Sequence, residues 1–300
     1  MMVRITEERN PNSIGIDEKS VDEILRIINA EDQKVPTAVS AQIPVISEVV
    51  EAIATTISRG GRVFFAGAGS SGRIGVAEAA EISPTFGLPP EVVQGVMAGG
   101  RDAVFGSFEV SEDDEPAGTR MLEERGFDGD DLLVALSASG RTPYALGALE
   151  KAGEVGARTV AVTCNPEAPM NRLADIPIVV NVGPEVVAGS TRMRAGTAQK
   201  LILNMLTTAA MIRLGRIHDG YMIGVRPTSR KLKNRAIRMV GEIAGVEPEA
   251  AEESLVRAGW DPKVAILIAR TGLSPAEARE ALDKSCGSLR TALEKMGEEA

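Results

Sequence analysis

The chain's 300 residues, 44% hydrophobic and 25% charged, suffice for a large buried core in a globular fold. A net charge of -9 and an isoelectric point near 5.0 exclude nucleic acid as the main partner, because such binders concentrate positive charge. Two cysteines and one histidine argue against a disulfide framework and leave a Cys/His zinc cluster or a Ser-His-Asp triad without support.

In chain order, Ser20 to Ala30 and Ile43 to Arg59 read as helices, the second with Ile46, Val49, Val50, Ile53 and Ile57 on one face. Val63 to Ala66 is the first of five short apolar runs, followed by Val92 to Val96, Leu132 to Leu136, Thr159 to Thr163 and Ile176 to Val180. Helical segments separate them, which predicts an α/β fold: a doubly wound, five-stranded parallel sheet with helices on both faces. The first strand runs into Gly67-Ala-Gly-Ser-Ser-Gly72 and a helical pattern from Val76 to Ile82. The third runs into Ser137-Ala-Ser-Gly-Arg-Thr-Pro143, where three hydroxyls and a flexible turn open a helix.

Both loops fall at strand carboxyl ends, where ligands gather in such sheets. Gly69, Ser70, Ser71, Ser137, Ser139, Gly140 and Thr142 are expected to hold a phosphate, with Pro143 at the first helical position and the helix dipole favouring the anion. No Gly-Lys-Ser/Thr follows either loop, which disfavours a nucleotide, and the spacing misses a dinucleotide fingerprint. The plainer reading makes each loop a tight turn with a serine N-cap.

Thr191 to Gly215 reads as a long helix whose methionines fill core, and His218 beyond it as a surface or interface residue. The basic residues between Arg226 and Arg238 read as a solvated helix face. Past about Arg235, Gly245, Gly259, Gly272, Gly287 and Gly297 are expected to end short helices, while Pro248, Pro262 and Pro275 open the next ones. Trp260 is expected to serve core packing or docking. Cys164, at the end of a strand, and Cys286 are expected as reduced thiols. No basic segment with an apolar core opens the sequence, and no apolar run approaches membrane-spanning length; a cytoplasmic location and no membrane partner are expected.

The set Gly67 to Gly75, Glu81-Ile-Ser-Pro-Thr-Phe-Gly87, Ser137 to Tyr144, Cys164-Asn-Pro166 and Val182 to Lys200 resembles the N-acetylmuramic acid 6-phosphate etherases, a family built on the sugar isomerase (SIS) fold. The resemblance begins at Thr6-Glu-Glu-Arg-Asn-Pro11 and covers nearly the whole chain. It implies an N-terminal helical arm over 1–45, a SIS domain over 46–235 and a small helical domain over 236–300, somewhat like a ubiquitin-associated bundle. It also implies a phosphorylated amino sugar substrate, neither cofactor nor metal, and a homodimer with its site at or near the subunit interface.

Taken alone, Glu81 and Glu112 read as exposed acids. The resemblance makes them the catalytic pair, Glu112 as the base at C2 of the opened sugar and Glu81 as the acid on the departing lactyl oxygen. Such roles require environments that push the two pKa values apart. Ser70 stands where the family commonly has Thr, and Glu81-Ile-Ser-Pro84 where it has Glu-Cys-Pro, which is expected to alter substrate fit. Gly224 replaces a usual Asp and Ser229 a usual Asn, implying a lost polar contact. Two alternatives stay open. An aldose–ketose isomerase would use Glu185 to shuttle a proton; a non-catalytic sugar phosphate sensor, such as the glucokinase regulatory protein, carries two SIS domains in a longer chain.

Overall fold

A computed structural model describes residues 5–106, 109–225, 227–285 and 287–298. The chain packs as two compact units, one of residues 1–80 with 90–208 and one of 81–89 with 209–300.

The first unit opens with α1 (Val21–Asp32), α2 (Lys34–Ser40) and α3 (Ile43–Ser58). Ser20 starts α1 with a capping box: its hydroxyl accepts from the Glu23 amide, and the Glu23 carboxylate accepts from the Ser20 amide at 2.9 Å. Ile46, Val49, Val50 and Ile53 of α3 are buried, as their helical spacing predicts. The alternating core follows as β1 (Val63–Gly67), α4 (Gly69–Phe86), β2 (Val93–Met97), α5 (Glu115–Glu124), β3 (Leu132–Leu136), α6 (Pro143–Glu154), β4 (Arg158–Thr163), α7 (Met170–Leu173), β5 (Ile176–Val179) and α8 (Arg194–Arg213), which runs on into the second unit.

The strands form one parallel sheet in the order β2-β1-β3-β4-β5. Every residue of β1 and β3 is buried, which is why both read as unbroken apolar runs. Strand order reverses between β1 and β3, and Gly67 at the end of β1 stands opposite Leu136 at the end of β3. The loops leaving these neighbours diverge to opposite faces, which opens a crevice at the carboxyl edge of the sheet.

The helix after β1 begins at Gly69, seven residues before the apolar pattern at Val76 suggests, and continues through Pro84 to Phe86. Glu81 therefore lies within α4 instead of closing it. The early glycines are required by packing. A Cβ at Gly72 would lie 2.6 Å from the Gly67 carbonyl oxygen, and one at Gly95 would lie 2.4 Å from the Val76 Cα.

The N-terminal segment is fastened by a buried polar cluster. Asn10 donates to the Glu31 carboxylate and the Pro184 carbonyl, both at 3.0 Å, and Asn12 donates to Glu31 at 2.8 Å. Arg194, at the head of α8, meets Glu31 at 2.9 Å, and both side chains are almost fully buried.

The second unit carries the hairpin β6 (Ile217–His218) and β7 (Tyr221–Met222), then α9 (Arg230–Ala244), α10 (Pro248–Arg257), α11 (Pro262–Thr271), α12 (Pro275–Lys284) and α13 (Leu289–Glu298). Proline occupies the first position of α10, α11 and α12, and Gly245 and Gly272 take left-handed conformations after α9 and α11, as the punctuation of the sequence predicts; Gly297, expected to follow a helix, instead lies within α13. Their apolar faces close on a core that includes Met239, Val240, Leu255, Ile266 and Leu267.

Burial opposes ionisation of Glu31, but hydrogen bonds from Lys34, Asn10 and Asn12 and the charge of Arg194 outweigh it, holding the carboxyl down to about 2 from an ordinary 4.5. A depressed carboxyl stabilises the fold above its unfolded pKa and loses that contribution as pH falls toward its folded one. Denaturation midpoints should therefore fall between pH 4.5 and 2, with about 3 kcal/mol assignable to this site. In Glu31→Gln the acid limb should be flatter; an identical limb in both proteins would show that the cluster does not carry the effect.

Candidate functional site

Ser137, at the end of β3, is buried and acts as the hub of its loop. Its hydroxyl accepts from the Gly140 amide at 3.0 Å and lies 2.8 Å from the Thr142 hydroxyl and 3.3 Å from that of Ser139. Ser139 and Thr142 are half-buried, so the three hydroxyls divide into an inner residue that shapes the turn and two that reach its surface. Thr142 precedes Pro143 of α6 but makes no side-chain cap. The head of α6 thus differs from the plain serine-capped turn, and its dipole faces the loop with no side-chain oxygen on its first amides.

Across the crevice, Ser70 is half-buried and Ser71 buried in the first turn of α4. Arg73, a residue whose role has no sequence signature, lies one turn further on. Its guanidinium donates to the carbonyls of Val104 at 3.1 Å and Ala103 at 3.0 Å, and also to that of Gly106. It thereby ties α4 to the segment that leads into the 3-10 turn Glu109–Asp113.

That turn carries Glu112, which is exposed; Glu81 is exposed on α4 and belongs to the second unit. Glu185 has a different environment. It is buried, and its two carboxylate oxygens accept from the amides of Arg194 and Ala195, each at 2.9 Å. This satisfies the first amides of α8, a task of the same kind as an N-cap.

Burial pushes the Cys164 thiol up to about 12, with the Glu185 charge adding to it, so Cys164 is an inert core residue. Cys286 lies outside the described residues. His218 is half-buried on β6, and burial together with Arg290 favours its neutral form. Among the described residues no cluster of His, Cys, Asp or Glu could hold a metal, and no single helix is long and apolar enough to cross a membrane.

The two downstream departures from the family pattern have local causes. Ser229 is the N-cap of α9, its hydroxyl accepting from the Leu232 amide at 3.3 Å, a task Asn performs equally well. At Gly224 a Cβ would lie 2.5 Å from the Phe86 carbonyl oxygen, so no larger side chain fits this backbone.

Residues 45–153 match the model of the glucokinase regulatory protein N-terminal SIS domain, and residues 116–209 that of the SIS domain. N-acetylmuramic acid 6-phosphate etherase 2 of Vibrio cholerae is 45% identical over 291 residues, which are 97% of this chain and 95% of that protein. The N-acetylmuramic acid 6-phosphate etherase of Aeromonas hydrophila is 47% identical over 94% of this chain and 95% of its own. That of Rubrobacter xylanophilus is 45% identical over 96% and 95%. Among solved structures, the phosphoheptose isomerase of Neisseria gonorrhoeae superposes with a TM-score of 0.51 at 16% identity, covering 64% of this chain and 99% of that one, a likeness of fold.

Gly140 has a φ of +62°, and a Cβ there would lie 2.3 Å from the Ala168 Cβ, whereas a Cβ at Gly153 of α6 meets nothing within 4 Å. Gly140→Ala should lower stability by more than about 1 kcal/mol, and Gly153→Ala should raise it by roughly 0.4–1 kcal/mol. Denaturant midpoints test both; equal effects of the two changes would contradict the loop geometry.

Proposed function

The chain belongs to the N-acetylmuramic acid 6-phosphate etherase family, and from that membership we propose that it converts N-acetylmuramic acid 6-phosphate and water to N-acetylglucosamine 6-phosphate and D-lactate. The observation that carries this reading is identity of 45% to an etherase along 97% of the chain. The phosphate-type loop at the head of α6 supports it, because it suits the phosphate that the substrate carries.

In this mechanism Ser139, Thr142 and the first amides of α6 bind the phosphate, with Gly69, Ser70 and Ser71 on the other side of the crevice. The sugar ring opens to the aldehyde, which acidifies the C2 proton. Glu112 removes that proton, the electron pair forms the C2–C3 double bond, and the C3–O bond breaks as Glu81 protonates the lactyl oxygen. Water then adds at C3 and returns a proton to C2. One carboxyl acts as base and the other as acid, and the route calls on no metal or nucleotide. The isomerase alternative is weaker because both oxygens of Glu185 accept from the first amides of α8, which commits this buried carboxylate to capping that helix.

The enzyme acts in the cytoplasm in this reading and as a homodimer with a site shared between subunits. Val21 and Leu25, one turn apart on α1, are 72% and 59% exposed, an apolar stripe of the kind that self-association covers.

Purified protein should release D-lactate from N-acetylmuramic acid 6-phosphate without added metal or nucleotide. Glu112→Gln should abolish exchange of the C2 proton of N-acetylglucosamine 6-phosphate in heavy water, while Glu81→Gln should keep exchange and lose lactate release. Equal loss of exchange in both folded variants would reject the division of roles. Absence of lactate release together with aldose–ketose interconversion would establish the isomerase instead. Light scattering at assay concentration should report a dimer, and an active monomer would end the shared-site model.

A further inference from the structure

The second unit contains a cavity of about 580 Å³, within the range of small-molecule sites, whose lining includes Arg216, Thr228, Trp260, Asp261, Lys263 and Asp283. No step of the proposed reaction uses it. Its chemistry is mixed in a specific way: two cations, two carboxylates, a hydroxyl and an indole face one space.

Trp260 is held in an unusual conformation. Its φ is +63°, directly after Gly259 at +68°, and it is one of two non-glycine residues with positive φ among the described residues. The end of α10 accounts for the glycine, since the Gly259 and Trp260 amides close the helix on Val256 and Leu255. A left-handed tryptophan at the next position is not required to stop a helix and costs on the order of 1–3 kcal/mol. Lys233 of α9 covers the indole ring at 4.5 Å.

Lys263, in the first turn of α11, donates to the Gly287 carbonyl at 2.7 Å, which uses one of its three N–H groups. Burial pushes its ammonium down to about 8, Arg216 adds to the depression, and Asp261 opposes it. The Asp261 carboxylate is itself engaged at 3.0 Å by the Lys263 amide as the cap of α11. An anion entering this space would relieve the repulsion between ammonium and guanidinium. A bare anion would also meet Asp283, whereas a ligand with hydroxyls would find an acceptor there.

We propose that this cavity is a second binding site for a sugar phosphate, with the phosphate against Lys263 and Arg216, the hydroxyls toward Asp283 and Thr228, and the apolar face of the ring beside Trp260. Trp260 is the only tryptophan in the chain, so its fluorescence reads this site directly. The choice of sugar for the test rests on the proposed reaction, whose product is N-acetylglucosamine 6-phosphate.

That compound should change the Trp260 emission saturably in Ser139→Ala, where the loop site is weakened, and the change should be lost in folded Lys263→Met. In the parent chain the apparent affinity should fall roughly 10- to 30-fold between pH 7.5 and 9.5, where the phosphate stays doubly charged and Lys263 loses its proton. This second measurement decides the matter if Lys263→Met does not fold. No saturable change, or one that survives in folded Lys263→Met or keeps its affinity at pH 9.5, would overturn the site. Inorganic phosphate binding as tightly as the sugar phosphate would overturn the sugar assignment. Lactate release measured on the parent chain separates these failures from failure of the proposed reaction.

Discussion

Direct backbone contact between α4 and the sheet fixes the position of the other parts of the crevice. With no side chains at Gly72 and Gly95, the first turns of α4 come so close to β1 and β2 that a single methyl group would collide with a carbonyl oxygen or a Cα. Seated that deeply, the helix holds Ser70 and Ser71 in its first turn and brings Arg73 within reach of three carbonyls between Ala103 and Gly106. The path toward Glu112 is thereby fastened to the same helix that bears Glu81. A more distant helix would leave the guanidinium short of its acceptors and the segment before Glu112 without that anchor.

The hydroxyl-rich loop after β3 works by division of labour. Ser137 is committed to the turn, donating to or accepting from its neighbours, and cannot give its full hydrogen-bonding capacity to a ligand. Ser139 and Thr142 remain at the surface with the uncapped end of α6. Preorganisation of this kind spends the ordering entropy of the loop during folding, so less of it opposes binding.

Much of this was legible in the sequence, and what was not has identifiable causes. Buried parallel strands leave unbroken apolar runs, so β1 and β3 and the loops beyond them stand out. The start of α4 does not, because its three glycines through Gly75 are poor helix formers and only tertiary packing makes that turn helical. Pro84 misleads in the same way, since a helix passes through it. Glu185 reads as a free acid until its backbone partners are known. Glu81 and Glu112 have no local signal that separates them from surface acids, and only the family pattern singles them out. Gly224 looked like a lost polar contact, whereas the Phe86 carbonyl shows that the chain has taken up the space a side chain would fill.

That contact also constrains how this chain can diverge from its relatives. Placing the acid common in the family at position 224 requires the end of α4 and the segment holding residue 224 to move apart, because the Phe86 oxygen lies where the new Cβ would go. The two segments are 138 positions apart in sequence yet are coupled through that carbonyl group: a side chain at 224 is accommodated only together with a backbone shift in one of them.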